Sequence, residues 1–311
     1  MKQGGSPITG KWHGTATGGV TSPDAIILPG STTRFAATAA RLAALAPGHS
    51  MADWLSFMAR VASAQQLAVA AVSIIEGPAP SAVDRAIDAG MPPLAVDGHR
   101  RDPAWRAALS HILDAIEVST LPPQARDVTV RIRAEGAASI EALADQFLHG
   151  EVEDVAAALY IASAVQVYFT ALAAKLPADK LRLLSQRGLC PCCGSTPSAG
   201  LIAATGKTPG ARYLYCSLCS TAWNYVRAAC ITCGDASTIA LQGIEGDVGV
   251  VKAETCDKCR TYAKMIYQKQ DMRGDPYADD LASFGLDILV AEAGWSRHAP
   301  NPLLLVARPT S

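Results

Sequence analysis

All nine cysteines of the 311-residue chain lie between Cys190 and Cys259, and eight of them form four Cys-x-x-Cys pairs: Cys190/Cys193, Cys216/Cys219, Cys230/Cys233 and Cys256/Cys259. The first two pairs recur 40 residues later as the second two. The repetition extends beyond the sulfurs. Gly194 returns as Gly234, Thr221 as Thr261, and the apolar Tyr225 and Val226 as Met265 and Ile266, so the duplicated object is a small folding unit.

Ligand chemistry explains the spacing. A Cys-x-x-Cys turn presents two thiolates to one ion, and two such turns close a tetrahedral four-sulfur site. Within each copy 22 residues separate the pairs, room for a short hairpin, while only ten separate Cys219 from Cys230. Sequential pairing is therefore the economical assignment. Cys190, Cys193, Cys216 and Cys219 are expected around a first metal, and Cys230, Cys233, Cys256 and Cys259 around a second. Gly194 and Gly234 suit the tight turn behind a cysteine pair, where a residue without Cβ lets backbone amides point at sulfur. Ser220 and Arg260 stand at the same place in the other two pairs.

A disulfide framework fits less well. The spacing leaves Cys192 over, and the N-terminal stretch lacks the charged start and apolar core of a secretory signal. Cys192 lies between two ligands and is expected to be a bystander. Zinc and iron both accept four thiolates in a tetrahedron, so spacing leaves a zinc ribbon and a rubredoxin-like iron centre equally open. Four thiolates close the coordination sphere, whereas a catalytic zinc site keeps a position free.

Length supports about two domains. Half of the residues are hydrophobic, much of that alanine, which points to a globular protein with considerable helix. The formal net charge of −1 offers no general attraction to nucleic acid or anionic membrane. Residues 188–270 carry eight Lys/Arg against five Asp/Glu, but each divalent ion with four thiolates brings about −2, so two filled sites cancel that surplus. A nucleic-acid partner is not expected.

Residues 1–33 are rich in Gly, Ser, Thr and Pro and read as a flexible or extended arm. Helical patterning begins near Arg34, and from Met51 to Glu76 apolar residues such as Trp54, Met58, Val61, Ala68 and Val72 recur at three, four and seven. Further helices are expected at 81–89, 103–117, 139–149, 152–175 and 178–187, with breakers at Gly90–Pro93, Leu121–Pro123, Gly150 and Pro177. Asp275-Pro276 opens a last helix to about Ala293, on which Asp280, Ser283 and Asp287 form an acidic strip. That strip is a solvated face or a partner surface. The expected fold class is α+β and multidomain: an arm to residue 33, an all-helical domain over 34–187, two tandem rubredoxin-like (zinc-ribbon-like) metal-binding domains over 188–228 and 229–270, and a C-terminal helix and tail over 271–311. The helical domain and the ribbons are expected to fold semi-independently.

Val155 to Ala174 is a 20-residue run without charge, long enough to span a bilayer. Its alanines and the interruptions at Ser163, Gln166 and Thr170 mark it instead as a buried core helix, and no second candidate span is evident. Gly206-Lys207-Thr208 has five residues rather than four between its glycines and no βαβ context, so it is not a phosphate loop. Gly48-His49-Ser50-Met51-Ala52 lacks the last glycine of a nucleophile elbow, and Ser50 reads as a helix N-cap. No His-Glu-x-x-His occurs, and no histidine is assigned a catalytic role.

With these residues in place, the chain resembles the family of formate dehydrogenase accessory proteins, FdhE. The resemblance is carried by Cys190-Pro191-Cys192-Cys193-Gly194, by Arg212 to Cys219, by Lys252 to Tyr262, and by Ala278 to Ser283, Leu286-Asp287 and Asn301-Pro302. It is looser in the helical region, where Pro92-Pro93-Leu94 is one matching piece. The resemblance implies a cytoplasmic, non-enzymatic factor that recognises the catalytic subunit of a respiratory formate dehydrogenase before export. It also implies iron, held in rubredoxin fashion, and a residue other than cysteine where Cys192 stands. A rubredoxin-like electron carrier is the alternative class, and a zinc-ribbon nucleic-acid binder a more distant one.

Overall fold

The computed structural model describes residues 22–72, 75–299 and 301–304. Before the first cysteine, these residues form a short strand, β1 (Ile26–Ile27), and the helices α1 (Arg34–Leu45), α2 (Ala52–Val72), α3 (Pro80–Asp88), α4 (Trp105–Ala115), α5 (Pro123–Ala134), α6 (Ala137–His149) and α7 (Val155–Ala173). On α2, Leu55, Met58, Val61, Ala62, Gln65, Ala68 and Val72 are buried, the three- and four-residue spacing of one helix face. α7 is buried nearly all round from Ala157 to Ala173, as the central helix of a core must be. Asp154 starts it by accepting from the Ala157 amide at 2.9 Å. By length and composition α2 is a second candidate span, contrary to the sequence reading. Half of its most apolar window and 89% of that of α7 are buried inside the protein, so burial in the core accounts for the apolar character of α7.

Four local expectations are corrected. The breaker at Pro122-Pro123 opens α5, because at the first helical turn a proline's missing N–H has no intrahelical bond to lose. Residues 178–187 are not helical. There Arg182 Nη1 donates to the carbonyls of Asp179, Lys180 and Leu181, and the chain coils around its own guanidinium. The last helix is broken into α8 (Ala278–Ala282) and α9 (Phe284–Glu292) at Ser283, whose hydroxyl donates back to the Asp279 carbonyl at 2.7 Å. Near Ser50 it is the His49 imidazole, through Nδ1, that accepts the Met51 amide at 3.0 Å.

The cysteine region supplies β2 (Pro197–Ile202), β3 (Arg212–Cys216), β4 (Ala222–Asn224), β5 (Ile239–Gln242), β6 (Val251–Cys256) and β7 (Thr261–Tyr267), followed after α9 by β8 (Ser296–Arg297). All lie in one sheet of order β1-β4-β3-β2-β7-β6-β5, with β8 beside β7. Each repeat forms an antiparallel three-stranded unit. The units are joined by β2 and β7 running parallel, with Gly200 opposite Met265. The end of the N-terminal arm joins the sheet too, Ile26 pairing with Trp223.

Gly200 makes that junction possible. A Cβ there would lie 2.4 Å from Met265 Sδ and 3.3 Å from Leu214 Cδ2, and Met265 is fully buried. Gly200→Val is expected to cost about 1–3 kcal/mol through overpacking. The cost reads as a lower urea midpoint at unchanged slope. A midpoint equal to that of the parent would show that Met265 has room to move.

The apolar core does not stop at the helical boundary. One cluster runs from Phe35 and Leu55 through Phe169 and Trp105 to Cys190, Cys216, Leu218, Trp223 and Leu281. The first ribbon therefore shares its core with the helices, which argues against its folding apart from them.

The acidic strip is also corrected. Asp280 is 0% exposed and Asp287 7%, so neither is a surface group. Asp280 accepts from Arg297 Nη2 at 2.6 and 2.7 Å and from Asn301 Nδ2 at 2.5 Å, with Lys264 Nζ at 2.9 Å. Asp287 accepts from Lys264 Nζ at 2.6 Å, Tyr262 Oη at 2.7 Å and Arg297 Nη1 at 3.0 Å. The cations come from β7 and β8, which α8 and α9 cover. One residue before Asp280, Asp279 takes two bonds from Arg41 of α1, at 2.9 and 2.6 Å. The C-terminal motif thus clamps α1, both helices and the sheet together.

Candidate metal centres

Each cysteine pair sits on a turn whose shape is set by the backbone. Cys190 N donates to Ser195 O at 2.9 Å and Gly194 N to Cys190 O at 2.9 Å; in the second copy Cys230 N donates to Asp235 O at 2.7 Å and Gly234 N to Cys230 O at 2.9 Å. The residue closing each turn is left-handed: Gly194 at φ 80°, Gly234 at 73°, Ser220 at 60° and Arg260 at 55°. Among the described residues Ser220 and Arg260 are the non-glycines with positive φ, a conformation that needs support. Ser220 Oγ is held by Arg34 Nε and by Thr170 Oγ1, each at 3.0 Å. Arg260 N donates to Cys256 O at 2.9 Å, and its guanidinium stacks 4.2 Å from the Trp295 ring centre.

These turns bring the eight sulfurs into the two expected sets, Cys190, Cys193, Cys216 and Cys219 in one and Cys230, Cys233, Cys256 and Cys259 in the other, each with all sulfurs within 4.8 Å. Cys192 belongs to neither set. The shortest sulfur–sulfur separations are 3.4 and 3.5 Å in the first and 3.6 and 3.7 Å in the second. A disulfide needs about 2 Å. A tetrahedron with metal–sulfur bonds of about 2.3 Å has edges of about 3.8 Å, so both sets match a four-thiolate ion. The donor chemistry agrees. Burial pushes the Cys190 and Cys216 thiols well above their usual range, and four thiolates cannot share that dry space unless a cation neutralises them.

The helices hold the first set in place. Gln166 Nε2 on α7 donates to Ser217 O at 2.7 Å, and Tyr277 Oη donates to Cys216 O at 3.0 Å. From the loop after α3, Leu94 N reaches Cys192 O at 2.8 Å and Val96 N reaches Cys193 O at 3.0 Å. Gln65 of α2 orients Gln166, its Nε2 donating to Gln166 Oε1 at 3.0 Å. Within the turn, the Leu218 and Cys219 amides point at Cys216 Sγ from 3.4 and 3.3 Å. Gln166 and Thr170 were legible only as polar interruptions of an apolar run. Their docking role depends on where the knuckle lands.

The second set is more open. Cys233 is exposed and Cys259 half-buried, whereas all four sulfur residues of the first set are 0% exposed. Asp235 braces its first turn, accepting from the Thr238 hydroxyl and amide, both at 2.9 Å, and from the Ser237 amide at 3.0 Å, bonds that hold its carboxyl at about 2. Thr238 Oγ1 in turn lies 3.6 Å from Cys256 Sγ. Between the first knuckle and α9 runs a cleft of about 1880 Å³, with Pro92, Phe147, Leu148, Gly194, Leu218 and Ile288 on its walls.

Comparison with known proteins agrees along nearly the whole chain. Family models described as FdhE, N-terminal, FdhE, central domain, and FdhE, C-terminal domain match residues 23–185, 189–227 and 228–304. The chain belongs to the FdhE family. The FdhE homolog of Edwardsiella ictaluri is 34% identical over 282 residues, covering 90% of this chain and 91% of its own. That of Pseudomonas aeruginosa is 36% identical over 278 residues, covering 87% and 89%. The crystal structure of the FdhE protein from Pseudomonas aeruginosa superposes with a TM-score of 0.80 at 33% identity, over 90% of this chain and 98% of that one. In this FdhE-family fold either zinc or iron suits the four-thiolate sets: iron would supply one-electron chemistry and zinc none.

Proposed function

We propose that this FdhE-family chain is a non-enzymatic accessory factor for maturation of a respiratory formate dehydrogenase, binding the catalytic subunit in the cytoplasm before export. The observation that carries the reading is the match to the family over nearly the full length, with both four-cysteine sets complete. We assign iron to both sets, each within a rubredoxin-like ribbon, as the family resemblance suggests. The factor acts by contact and does not turn over formate. Burial of Asp280 and Asp287 moves the docking surface elsewhere, and the cleft beside the first knuckle, with Ile288 46% exposed on its wall, is the better placed surface.

The test is a pull-down of the catalytic subunit together with formate dehydrogenase activity in a strain lacking the protein. Activity should be lost in that strain, and Ile288→Asp should weaken the pull-down without changing metal content. Full activity in the strain, or formate oxidation by the purified protein, would overturn the reading. Electron transfer is the second reading, favoured by the open edge of the second set at Cys233 and Cys259. Zinc in the native protein would remove it.

A further inference from the structure

The second set carries a side-chain hydrogen-bond chain that runs on to a histidine, an extension the first set lacks among the described residues. Cys259 Sγ lies 3.0 Å from Thr261 Oγ1, Thr261 Oγ1 lies 2.8 Å from Thr232 Oγ1, and Thr232 Oγ1 lies 2.7 Å from His298 Nδ1. Thr261 Oγ1 is also 3.9 Å from Cys230 Sγ, so the chain ends between two ligand sulfurs. His298 is fixed from behind, its amide donating to Tyr262 O at 2.7 Å beside the β7–β8 pairing.

The polarity of this chain follows from its end. A metal-bound Cys259 sulfur is a thiolate and can only accept, so the Thr261 hydroxyl donates to it. Thr232 must then donate to Thr261, and His298 Nδ1 must donate to Thr232. The imidazole is thereby held as the Nδ1–H tautomer. Its other nitrogen, Nε2, is then an unprotonated acceptor; it is buried and has no hydrogen-bond partner among the described residues. Burial, with help from the Arg297 charge, lowers the His298 pKa to about 4, which keeps the ring neutral.

The repeat shows what is missing at the first set. Thr221 corresponds to Thr261 and lies 3.2 Å from Cys219 Sγ; Cys192 stands where Thr232 stands and bonds to Thr221, but no histidine continues the chain among the described residues. The C-terminal segment that brings His298 exists once. The first set is sealed by helices instead.

We propose that the two centres differ in kind: the first is a closed structural clamp, and the second is the exchangeable centre, opening at Cys233 and held by the outer-sphere chain His298–Thr232–Thr261. Outer-sphere partners fix ligand orientation, and losing one costs on the order of 10–100-fold in metal affinity. The inference rests on metal occupancy of both sets and on nothing about the partner subunit.

The experiment uses the full chain loaded with two zinc ions and a chromogenic zinc chelator, following release with time. Two phases of one ion each are expected, and Cys233→Ser should abolish the fast one. Thr232→Val and His298→Ala should speed the fast phase on the order of 10-fold or more and leave the slow phase unchanged, while Thr232→Ser restores the parent rate. Release of both ions at one rate, a fast phase unmoved by either substitution, or equal acceleration of both phases would overturn the proposal. Loading with fewer than two ions would overturn the metal reading beneath it.

Discussion

Cys216→Ser is expected to unfold the helical body as well as the first ribbon. The sulfur it removes is 0% exposed, and the apolar cluster around it is continuous with Phe35, Leu55 and Phe169 on the helices. Structural four-thiolate sites contribute on the order of 10 kcal/mol to folding, as large as the whole net stability of a typical domain. Loss of the ion would also strand three buried thiols and leave the Gln166 and Tyr277 contacts without a fixed knuckle. Far-UV circular dichroism should report loss of helix at room temperature or at very low urea. Cys233→Ser, at the exposed edge of the second set, should retain most of the helical signal. A Cys216→Ser protein with parent helicity and urea midpoint would show that the helices stand without the first centre.

Asp280→Ala is expected to cost about 3–5 kcal/mol, because it leaves two cations facing one carboxylate in a buried site. Lys264 is 0% exposed and among the described residues would keep Asp287 alone as an ionic partner; Arg297 would be in the same position. The pH dependence follows from the direction of the shift. Burial raises the Asp280 carboxyl, but Arg297 and then Lys264 outweigh it and hold it below the ordinary carboxylate range. A lowered folded value means that the contribution is complete above the unfolded carboxylate pKa of about 4 and is lost as pH falls through the folded value. The difference in urea midpoint between parent and Asp280→Ala should thus be constant above about pH 5 and narrow below about pH 4. A cost under about 1 kcal/mol at neutral pH would mean that the cations reach water when the carboxylate is gone.

The ligand sets were legible because the 40-residue repeat copies sulfur and spacing together, and a short loop leaves little freedom in how the pairs combine. The buried α7 was legible from a run with no charge. Other features depend on partners distant in sequence. Asp280 and Asp287 read as an exposed strip because their cations, Lys264 and Arg297, arrive from strands whose position the helix pattern does not reveal. The joining of two ribbons through β2 and β7 is a parallel contact between copies, and Gly200 is its one visible trace. Pro122-Pro123 signals a boundary without saying on which side the helix lies. His298 was one unassigned histidine among six until β8 carried it to Thr232.

The measurement that bears most directly on this account is the number of metal ions in the protein as isolated, read by native mass spectrometry after purification without air. Two ions per chain are predicted, falling to one in Cys233→Ser and staying at two in Cys192→Ala. A chain that carries one ion or none, or that loses an ion on substitution of Cys192, would contradict the assignment of the eight cysteines to two four-sulfur centres.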